Sequence, residues 1–189
     1  ELGLSVKVFE TGSGVGGTWY WNRYPGARFD SESYSYGYSF SEELLQEWNW
    51  KEHFSPQPDN LEYLEFVADK FNLRPDIEFN TRVVSAHYDD DDNCWNVTTD
   101  GGHFVTCKFL ITAVGVLSTP FVPEIPGLKN FKKDSWHTAN WPKEHVSLEG
   151  KRVGVIGTGA TAVQLITEIA KTVGDLTVFQ RTANFCKPL

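Results

Sequence analysis

A glycine-rich turn near the end of the chain restricts its fold more than any other feature. The segment Gly157-Thr158-Gly159-Ala160-Thr161-Ala162 follows an apolar run, Arg152–Ile156, and opens a stretch with helical spacing. In that context the first glycine permits a tight turn, and the second lets backbone N–H groups approach a pyrophosphate. The third small residue allows close packing of helix and strand. With a further strand at Leu176–Gln180, the pattern predicts a βαβ unit that binds a dinucleotide.

The end of the second strand indicates which dinucleotide is bound. Arg181 and Thr182 follow it, at the place where NAD-binding proteins carry an acid for the ribose 2′-hydroxyl. A guanidinium and a hydroxyl suit a 2′-phosphate, which a carboxylate would repel. The sequence therefore favours NADP, as NADPH/NADP+, over NAD.

The start of the chain shows a similar arrangement with the opposite charge. Ser5–Glu10 is predicted to be a buried strand that ends in an acid, and Gly16 and Gly17 follow soon after. Because a parallel strand needs a partner and a crossover of a dozen residues or more, we expect a segment to precede Glu1. Two nucleotide sites, one acidic at the ribose and one basic, predict FAD together with NADPH.

The middle of the chain supplies the remaining elements. We predict one helix over 42–48, begun by a capping box between Ser39 and Glu42, and another over 60–71. An antiparallel meander follows from Val83 to Cys107, and its first turn contains an acidic run. The apolar run Phe109–Val114 is predicted to be a strand buried on both faces.

These elements predict an α/β chain with two Rossmann-like dinucleotide-binding domains, one for FAD and one for NADP. Both domains are expected to be incomplete in this chain, and the antiparallel meander belongs to the first. The predicted boundaries are 1–115 for the FAD domain, 116–150 for a linker, and 151–189 for the start of the NADP domain.

Charge and composition exclude several classes of function. The formal net charge of −8 argues against a nucleic-acid partner, whose phosphates need a basic face. Since no run approaches the roughly 18 apolar residues of a membrane span, no membrane association is predicted. Three cysteines without a Cys-x-x-Cys pair favour a reducing compartment, so we expect a cytoplasmic protein, and no metal site is predicted.

Two longer motifs carry a resemblance to a known family. The stretch Gly16–Asp30 reads GGTWYWNRYPGARFD, and Phe131–Pro142 reads FKKDSWHTANWP. The first closely resembles the flavin-binding stretch of Baeyer–Villiger monooxygenases of the phenylacetone and cyclohexanone type. The second resembles the family fingerprint F-x-G-x-x-x-H-x-x-x-W-P, except that Lys133 replaces its glycine. The resemblance covers nearly the whole chain in order.

The resemblance implies a reaction in which NADPH reduces FAD and a C4a-peroxide of the flavin converts a ketone, with O₂, to an ester or lactone. The implied FAD contacts are Glu10, Gly16, Gly17, Thr18, Trp19, Tyr20 and Tyr24, with Val83 near the adenine and Asp30 and Tyr36 near the isoalloxazine. The implied NADP contacts are Gly157, Thr158, Gly159, Ala160, Thr161, Ala162, Gln164, Arg181 and Thr182. Asp30, His137 and Trp141 are the implied catalytic residues, the last two at an inter-domain hinge.

The same resemblance places an arginine of the active site beyond Leu189 and a further glycine motif before Glu1. We therefore expect residues 1–189 alone neither to hold FAD tightly nor to turn over. His137 can equally be a linker residue that only bonds nearby backbone.

Three other functions remain open at this point. The first is an N- or S-oxygenating flavin monooxygenase, which Trp141-Pro142 disfavours because those enzymes carry Tyr or Phe followed by Lys there. The second, a disulfide reductase of the same architecture, is disfavoured because the chain has no Cys-x-x-Cys. The third is a non-catalytic NADP-binding module. Substrate identity and oligomeric state are not predicted.

Overall fold

The computed structural model describes residues 3–185 of the 189. Within these residues the strands are β1 Val8–Phe9, β2 Ile77–Glu78, β3 Val83–Asp89, β4 Cys94–Thr99, β5 Phe104–Cys107, β6 Arg152–Ile156 and β7 Asp175–Phe179. The α-helices of the same range are α1 Thr18–Trp21, α2 Glu42–Glu47, α3 Gln57–Lys70 and α4 Ala160–Ile169. Short 3₁₀ helices lie at Ser33–Tyr36, Arg74–Asp76, Leu128–Asn130 and Thr138–Asn140. The chain therefore has the α/β architecture that the sequence predicts.

Residue contacts divide the chain into two compact units. The first combines the chain up to Tyr20 with Leu61–Ser118, and the second combines Trp21–Asn60 with the chain from Thr119 onward. The division differs from the domain boundaries at 115 and 150, which remain a prediction about the intact protein.

In the first unit, β1 pairs with β2 in parallel, and β3, β4 and β5 form an antiparallel meander. The meander is confirmed, and it folds as its alternation requires: Val97 and Thr99 of β4 turn inward and are buried. The acidic run is the predicted turn. The Asp89 carboxylate accepts hydrogen bonds from the N–H groups of Asp91 and Asp92, at 3.0 and 3.1 Å.

Two strand predictions in this unit are wrong in part or entirely. Only Val8 and Phe9 of the predicted strand 5–10 have strand geometry, and Val6 and Val8 are exposed rather than buried. The predicted strand 109–114 does not form, and Phe109 and Ile111 are 73% and 87% exposed. A strand buried on both faces exists only where neighbouring strands supply hydrogen bonds and cover, and within residues 3–185 none pairs with this run.

Two helices differ from the prediction at their starts. Helix α2 begins at Glu42 as expected, but its N-cap is Ser41, whose hydroxyl accepts the Leu44 N–H at 3.2 Å, and not Ser39. Helix α3 begins at Gln57, three residues before the predicted start. Asn60 therefore lies inside the helix, fully buried, and its side-chain amide donates to the Ser55 carbonyl at 3.1 Å.

In the second unit, β6, α4 and β7 form the predicted βαβ unit. The two strands are parallel and in register from Arg152–Asp175 to Ile156–Phe179. The apolar face of α4 packs on a core that also contains residues from the first half of the sequence. The buried members of this core are Tyr24, Ala27, Leu148, Val155, Leu165 and Ile169.

The α-helices in the described part of the chain are all too short or too polar to cross a membrane.

Candidate cofactor-binding site

The glycine turn after β6 has the geometry that pyrophosphate binding needs. Gly157 has φ +106°, which an L-residue rarely adopts. Gly159 is the N-cap of α4 and forms no side-chain capping hydrogen bond. The first N–H group of the helix that donates to a carbonyl of the same helix is that of Val163, which donates to the Gly159 carbonyl at 3.0 Å. The N–H groups of 160–162 thus precede the internal hydrogen bonds of the helix, at its positive end.

Open space lies in front of this turn. A β-carbon built at Gly157 or at Gly159 would meet no atom within 4 Å. The second glycine is therefore not required by packing against the protein. An anion of the size of a pyrophosphate can reach the backbone there, so the residues present fit the predicted group.

A hydrogen bond brings the end of β7 beside the glycine turn. The Gly157 N–H donates to the Phe179 carbonyl at 2.9 Å, and the Thr158 hydroxyl donates to the Thr182 carbonyl at 3.1 Å. Arg181 is exposed and lies in the same loop. The structure thus places the predicted pyrophosphate turn and the predicted 2′-phosphate residues at one edge of the β6–β7 sheet.

Tyr24 and Gln164, both predicted to be cofactor contacts, contact each other within the second unit. The Tyr24 hydroxyl donates to Gln164 Oε1 at 2.8 Å. Burial raises the pKa of Tyr24, and the nearby Asp30 carboxylate raises it further, while a hydrogen bond with the Thr161 side chain opposes the shift. Tyr24 therefore remains a protonated hydroxyl at neutral pH and lies close to Asp30 and Thr161.

In the first unit, Glu10 lies at the end of β1 and organises the loop after it. Its Oε1 accepts the Gly12 N–H at 2.6 Å, while its own carbonyl accepts the Thr81 N–H at 2.9 Å. The Asn80 N–H donates to the Gly12 carbonyl at 2.9 Å. These contacts hold the glycine loop against the segment that leads into β3, where Val83 is 40% exposed.

The predicted FAD contacts Gly16–Tyr20 form one compact turn. Gly16 and Gly17 have φ +121° and +49°, and a β-carbon at Gly16 would lie 2.5 Å from Leu61 Cδ1. Their carbonyls accept the N–H groups of Trp19 and Tyr20 at 2.9 and 3.1 Å, so helix α1 starts with Thr18 on these two glycines. Of the three aromatic side chains of α1, Trp19 and Tyr20 are buried and Trp21 is exposed.

Ser13 contacts one of the predicted site residues, Tyr20, and the sequence prediction did not include it. The Tyr20 hydroxyl is 2.6 Å from the Ser13 hydroxyl and accepts the Ser13 N–H at 3.1 Å. Gly12 and Gly14 pack closely against the Tyr20 ring, so Tyr20 supports the glycine loop. A serine within a Gly-x-Gly run was the available signal, since Ser N–H and hydroxyl groups commonly bind in such turns.

The residues predicted to act in catalysis have local structural contacts. His137 is the N-cap of the 3₁₀ helix Thr138–Asn140, and its Nδ1 accepts the Ala139 N–H at 3.1 Å. Trp141 is half-buried, packs on the α4 core, and lies 5.7 Å from the Trp136 ring. Asp30 is exposed at the end of the Tyr24–Phe29 segment. Their catalytic roles remain predictions.

The deviation at Lys133 has no backbone consequence. Among the non-glycine residues of the described chain, positive φ occurs only at Asn72, Asn80 and Asn93. Since Lys133 does not need the left-handed region, a glycine is not required there.

Comparison with known proteins identifies the family. The profile of the pyridine nucleotide-disulphide oxidoreductases matches residues 8–187. The chain belongs to this family. Its sequence lacks Cys-x-x-Cys, and Cys94 and Cys107 are both free thiols.

The relatives confirm the resemblance to Baeyer–Villiger monooxygenases. The chain is 50% identical over 189 residues to a Baeyer-Villiger monooxygenase of Pseudooceanicola batsensis, which it aligns with over 100% of its own length and 34% of the relative's. It is also 50% identical over 188 residues to the phenazine N-monooxygenase PhzNO1 of Lysobacter antibioticus, with coverages of 100% and 35%. The chain thus spans about a third of the length of these curated relatives.

Solved structures share the fold at the same level. Cyclohexanone monooxygenase from Rhodococcus sp. Phi1 bound to NADP+ superposes with a TM-score of 0.95 at 50% identity, over 100% of this chain and 35% of that one. The OTEMO complex with FAD and NADP superposes with a TM-score of 0.94 at 50% identity, over 99% and 36%. The Rossmann-like α/β fold class is thereby confirmed.

Proposed function

We propose that the intact protein to which this chain contributes is an FAD- and NADPH-dependent monooxygenase that converts ketones, with O₂, to esters or lactones. The proposal is supported by relatives at 50% identity that are named for this chemistry. The chain contributes a large part of two nucleotide sites, and the rest of the relatives' length is outside it.

The observation that carries the proposal is the Thr158–Thr182 hydrogen bond of 3.1 Å. It holds Arg181 beside the open glycine turn, so that one dinucleotide can place its pyrophosphate on the helix N-terminus and its 2′-phosphate on the guanidinium. The residues that would hold NADP are Gly157, Thr158, Gly159, Ala160, Thr161, Ala162, Arg181 and Thr182.

The first unit supports an FAD site of the opposite charge. Glu10 ends its strand with a carboxylate suited to ribose hydroxyls, and Gly16 and Gly17 form a tight turn with positive φ at the start of α1. The residues of this unit that would hold FAD are Glu10, Gly16, Gly17, Thr18, Trp19, Tyr20 and Val83. Bound FAD would supply hydride acceptance and oxygen activation, while the protein supplies orientation and excludes water. Asp30 would contribute its charge near the flavin, and His137 and Trp141 would fix the linker.

Product analysis tests the reaction. The intact protein, loaded with FAD, is incubated with NADPH and O₂ and one of three substrates: a cyclic ketone, a tertiary amine or a thioether. We expect a lactone that carries one oxygen atom from ¹⁸O₂, and consumption of NADPH that depends on the ketone. Oxygenation of amine or thioether without lactone would overturn the proposal.

A second candidate function is N-oxygenation of an aromatic heterocycle. It is favoured by the identity of 50% to a phenazine N-monooxygenase, a relative as similar as the ketone-oxidising ones. Phenazine as a fourth substrate separates the two functions. An N-oxide in the absence of lactone would establish the second candidate.

The choice of pyridine nucleotide is tested at Arg181. Replacing Arg181 with alanine removes a charge-assisted contact with the 2′-phosphate, so we expect KM for NADPH to rise roughly 10- to 100-fold. KM for NADH should hardly change. Arg152→Ala, which removes the same charge at the opposite end of β6, is the matched control and should leave both values unchanged. An unchanged preference in Arg181→Ala would contradict the assignment.

We also propose that the protein acts in the cytoplasm on a small-molecule ketone and O₂, without nucleic acid or membrane. The net charge of −8 and the free thiols Cys94 and Cys107 support this. Fractionation of the producing cells, followed by immunodetection, is the test.

A further inference from the structure

The side chain of Gln164 binds the backbone of a segment about 140 residues earlier in the sequence. Its Nε2 donates to the Arg28 carbonyl at 3.0 Å, and its Oε1 accepts the Arg28 N–H at 3.3 Å. The Tyr24 hydroxyl donates to the same Oε1 at 2.8 Å. A carbonyl oxygen has two lone pairs, so Oε1 is fully used, and only one N–H of the amide is left for any other partner.

The segment also approaches α4 too closely for any residue but glycine. Gly26 has φ +81°, and a β-carbon there would lie 2.6 Å from the backbone carbonyl oxygen of Gln164 and 3.2 Å from Glu168 Cβ. Ala27, the next residue, is buried in the same core cluster as Leu165. The segment around Gly26 is therefore tightly packed on α4, and we refer to this contact as the seam. The two hydrogen bonds between the Gln164 side chain and the Arg28 backbone lie at the edge of the seam and are part of it.

This seam connects the start of α4, where the pyrophosphate is proposed to bind, with the segment that leads to Asp30, and both lie in the second unit. The Thr161 side chain, at the start of α4, is in hydrogen-bond contact with Tyr24, and the negative charge of the Asp30 carboxylate raises the pKa of the Tyr24 hydroxyl. Arg28 lies two residues before Asp30 in the sequence. A shift of the seam would therefore move the helix start, where the pyrophosphate is proposed to bind, relative to Asp30, proposed to lie near the flavin.

We propose that Gln164 and Tyr24 are positioning residues that clamp the N-terminal end of α4 to the segment leading to Asp30, and are not ligands of the nucleotide. The proposal rests on the proposed function, because the group positioned is the NADPH that the turn would hold. Since Arg181 and the glycine turn would still bind NADP+ after loss of the clamp, the affinity for NADP+ should hardly change. The rate of hydride transfer should decrease, because this step depends on placement of the reacting groups to within about 1 Å.

Anaerobic reduction of the FAD-loaded intact protein separates these two quantities. In Gln164→Leu, which keeps the volume and removes the hydrogen bonds, we expect the rate of flavin reduction at saturating NADPH to fall roughly 10- to 100-fold. The Kd for NADP+ should stay within about threefold. Tyr24→Phe removes the hydroxyl that contacts Gln164 and Thr161 but keeps both Gln164–Arg28 hydrogen bonds, so we expect a smaller decrease in the rate of flavin reduction. The double variant should be no slower than Gln164→Leu, because both act through one contact.

Amide hydrogen exchange gives a readout that needs no turnover. We expect the Arg28 amide to exchange faster in Gln164→Leu than in the unsubstituted protein. Thr167→Val is the matched control on the same helix, because the Thr167 hydroxyl donates only to the Val163 carbonyl of α4 itself, at 2.7 Å. It should change neither exchange at Arg28 nor flavin reduction.

Either of two results would overturn the clamp. One is a rise of tenfold or more in Kd for NADP+ with an unchanged reduction rate at saturation, which assigns Gln164 as a ligand. The other is unchanged Arg28 exchange and an unchanged reduction rate in both variants. Failure of the proposed function shows differently: the unsubstituted protein would not be reduced by NADPH at all.

Discussion

Replacing Gly26 with alanine places a β-carbon where the structure leaves no room for one. The nearest atom is the Gln164 carbonyl oxygen, at 2.6 Å, whereas ordinary van der Waals contact begins near 3.4 Å. That atom is helix backbone, so it cannot rotate away as a flexible side chain does. Relief requires the loop to lift from α4, with loss of the Gln164–Arg28 hydrogen bonds.

Two effects add up in Gly26→Ala. The backbone conformation at φ +81° costs alanine about 1 kcal/mol. The forced separation adds about 1–3 kcal/mol, as for overpacked sites in general. We therefore expect a loss of roughly 2–4 kcal/mol in the free energy of unfolding.

A second glycine isolates the steric part. Gly127 has nearly the same φ, +87°, but a β-carbon there would meet nothing within 4 Å. Gly127→Ala should lose only about 1 kcal/mol. Urea unfolding of the intact protein, followed by far-UV circular dichroism, measures both variants. The packing argument is refuted if Gly26→Ala is no less stable than Gly127→Ala.

Three further predictions follow from local contacts. Ser41→Ala should destabilise the protein by about 1 kcal/mol through loss of the α2 cap, whereas Ser39→Ala should be neutral in the same urea assay. A hydrogen bond from Lys7, together with a weaker contribution from His103, holds the pKa of Glu78 below its usual value. Ionised Glu78 therefore stabilises the folded state at pH values above its unfolded pKa, and this contribution is lost as the pH falls through the folded pKa. The deficit of Glu78→Gln in unfolding free energy should accordingly shrink on acidification, and a constant deficit would contradict the ion pairs. Because Trp95 and not Cys94 lies opposite Cys107 in the β4–β5 ladder, Cys94 and Cys107 point to opposite faces and should both react with a thiol-alkylating reagent, without prior reduction, once the protein is unfolded.

Local patterns predicted the βαβ unit because the forces that form it are local. The run Arg152–Ile156, the glycines at 157 and 159, and the helical spacing after Ala160 each specify their own conformation. The structure follows them to within one residue at the start of β6, α4 and β7. The meander was equally readable, since alternation and turn residues occur within short distances along the chain.

Features that depend on distant partners could not be predicted in the same way. The run 109–114 is apolar enough for a buried strand, but strand formation depends on neighbours that no local pattern reveals. The cap of α2 was misplaced because Ser39 and Ser41 offer the same side chain, and only the backbone geometry selects Ser41. The contact of Tyr24 with Gln164 joins residues 140 apart, and both carried a plausible role as ligands.

The central claim is that two nucleotide sites of opposite ribose charge belong to one redox protein. Anaerobic addition of NADPH to the intact, purified protein tests it most directly, by the absorbance of the bound flavin. We predict that the yellow colour of the oxidised flavin is lost rapidly with NADPH and far more slowly with an equal concentration of NADH. In Arg181→Ala, the ratio of the two rates of flavin reduction should be smaller than in the unsubstituted protein. A protein that binds no flavin, or whose flavin stays oxidised in excess NADPH, would contradict the account.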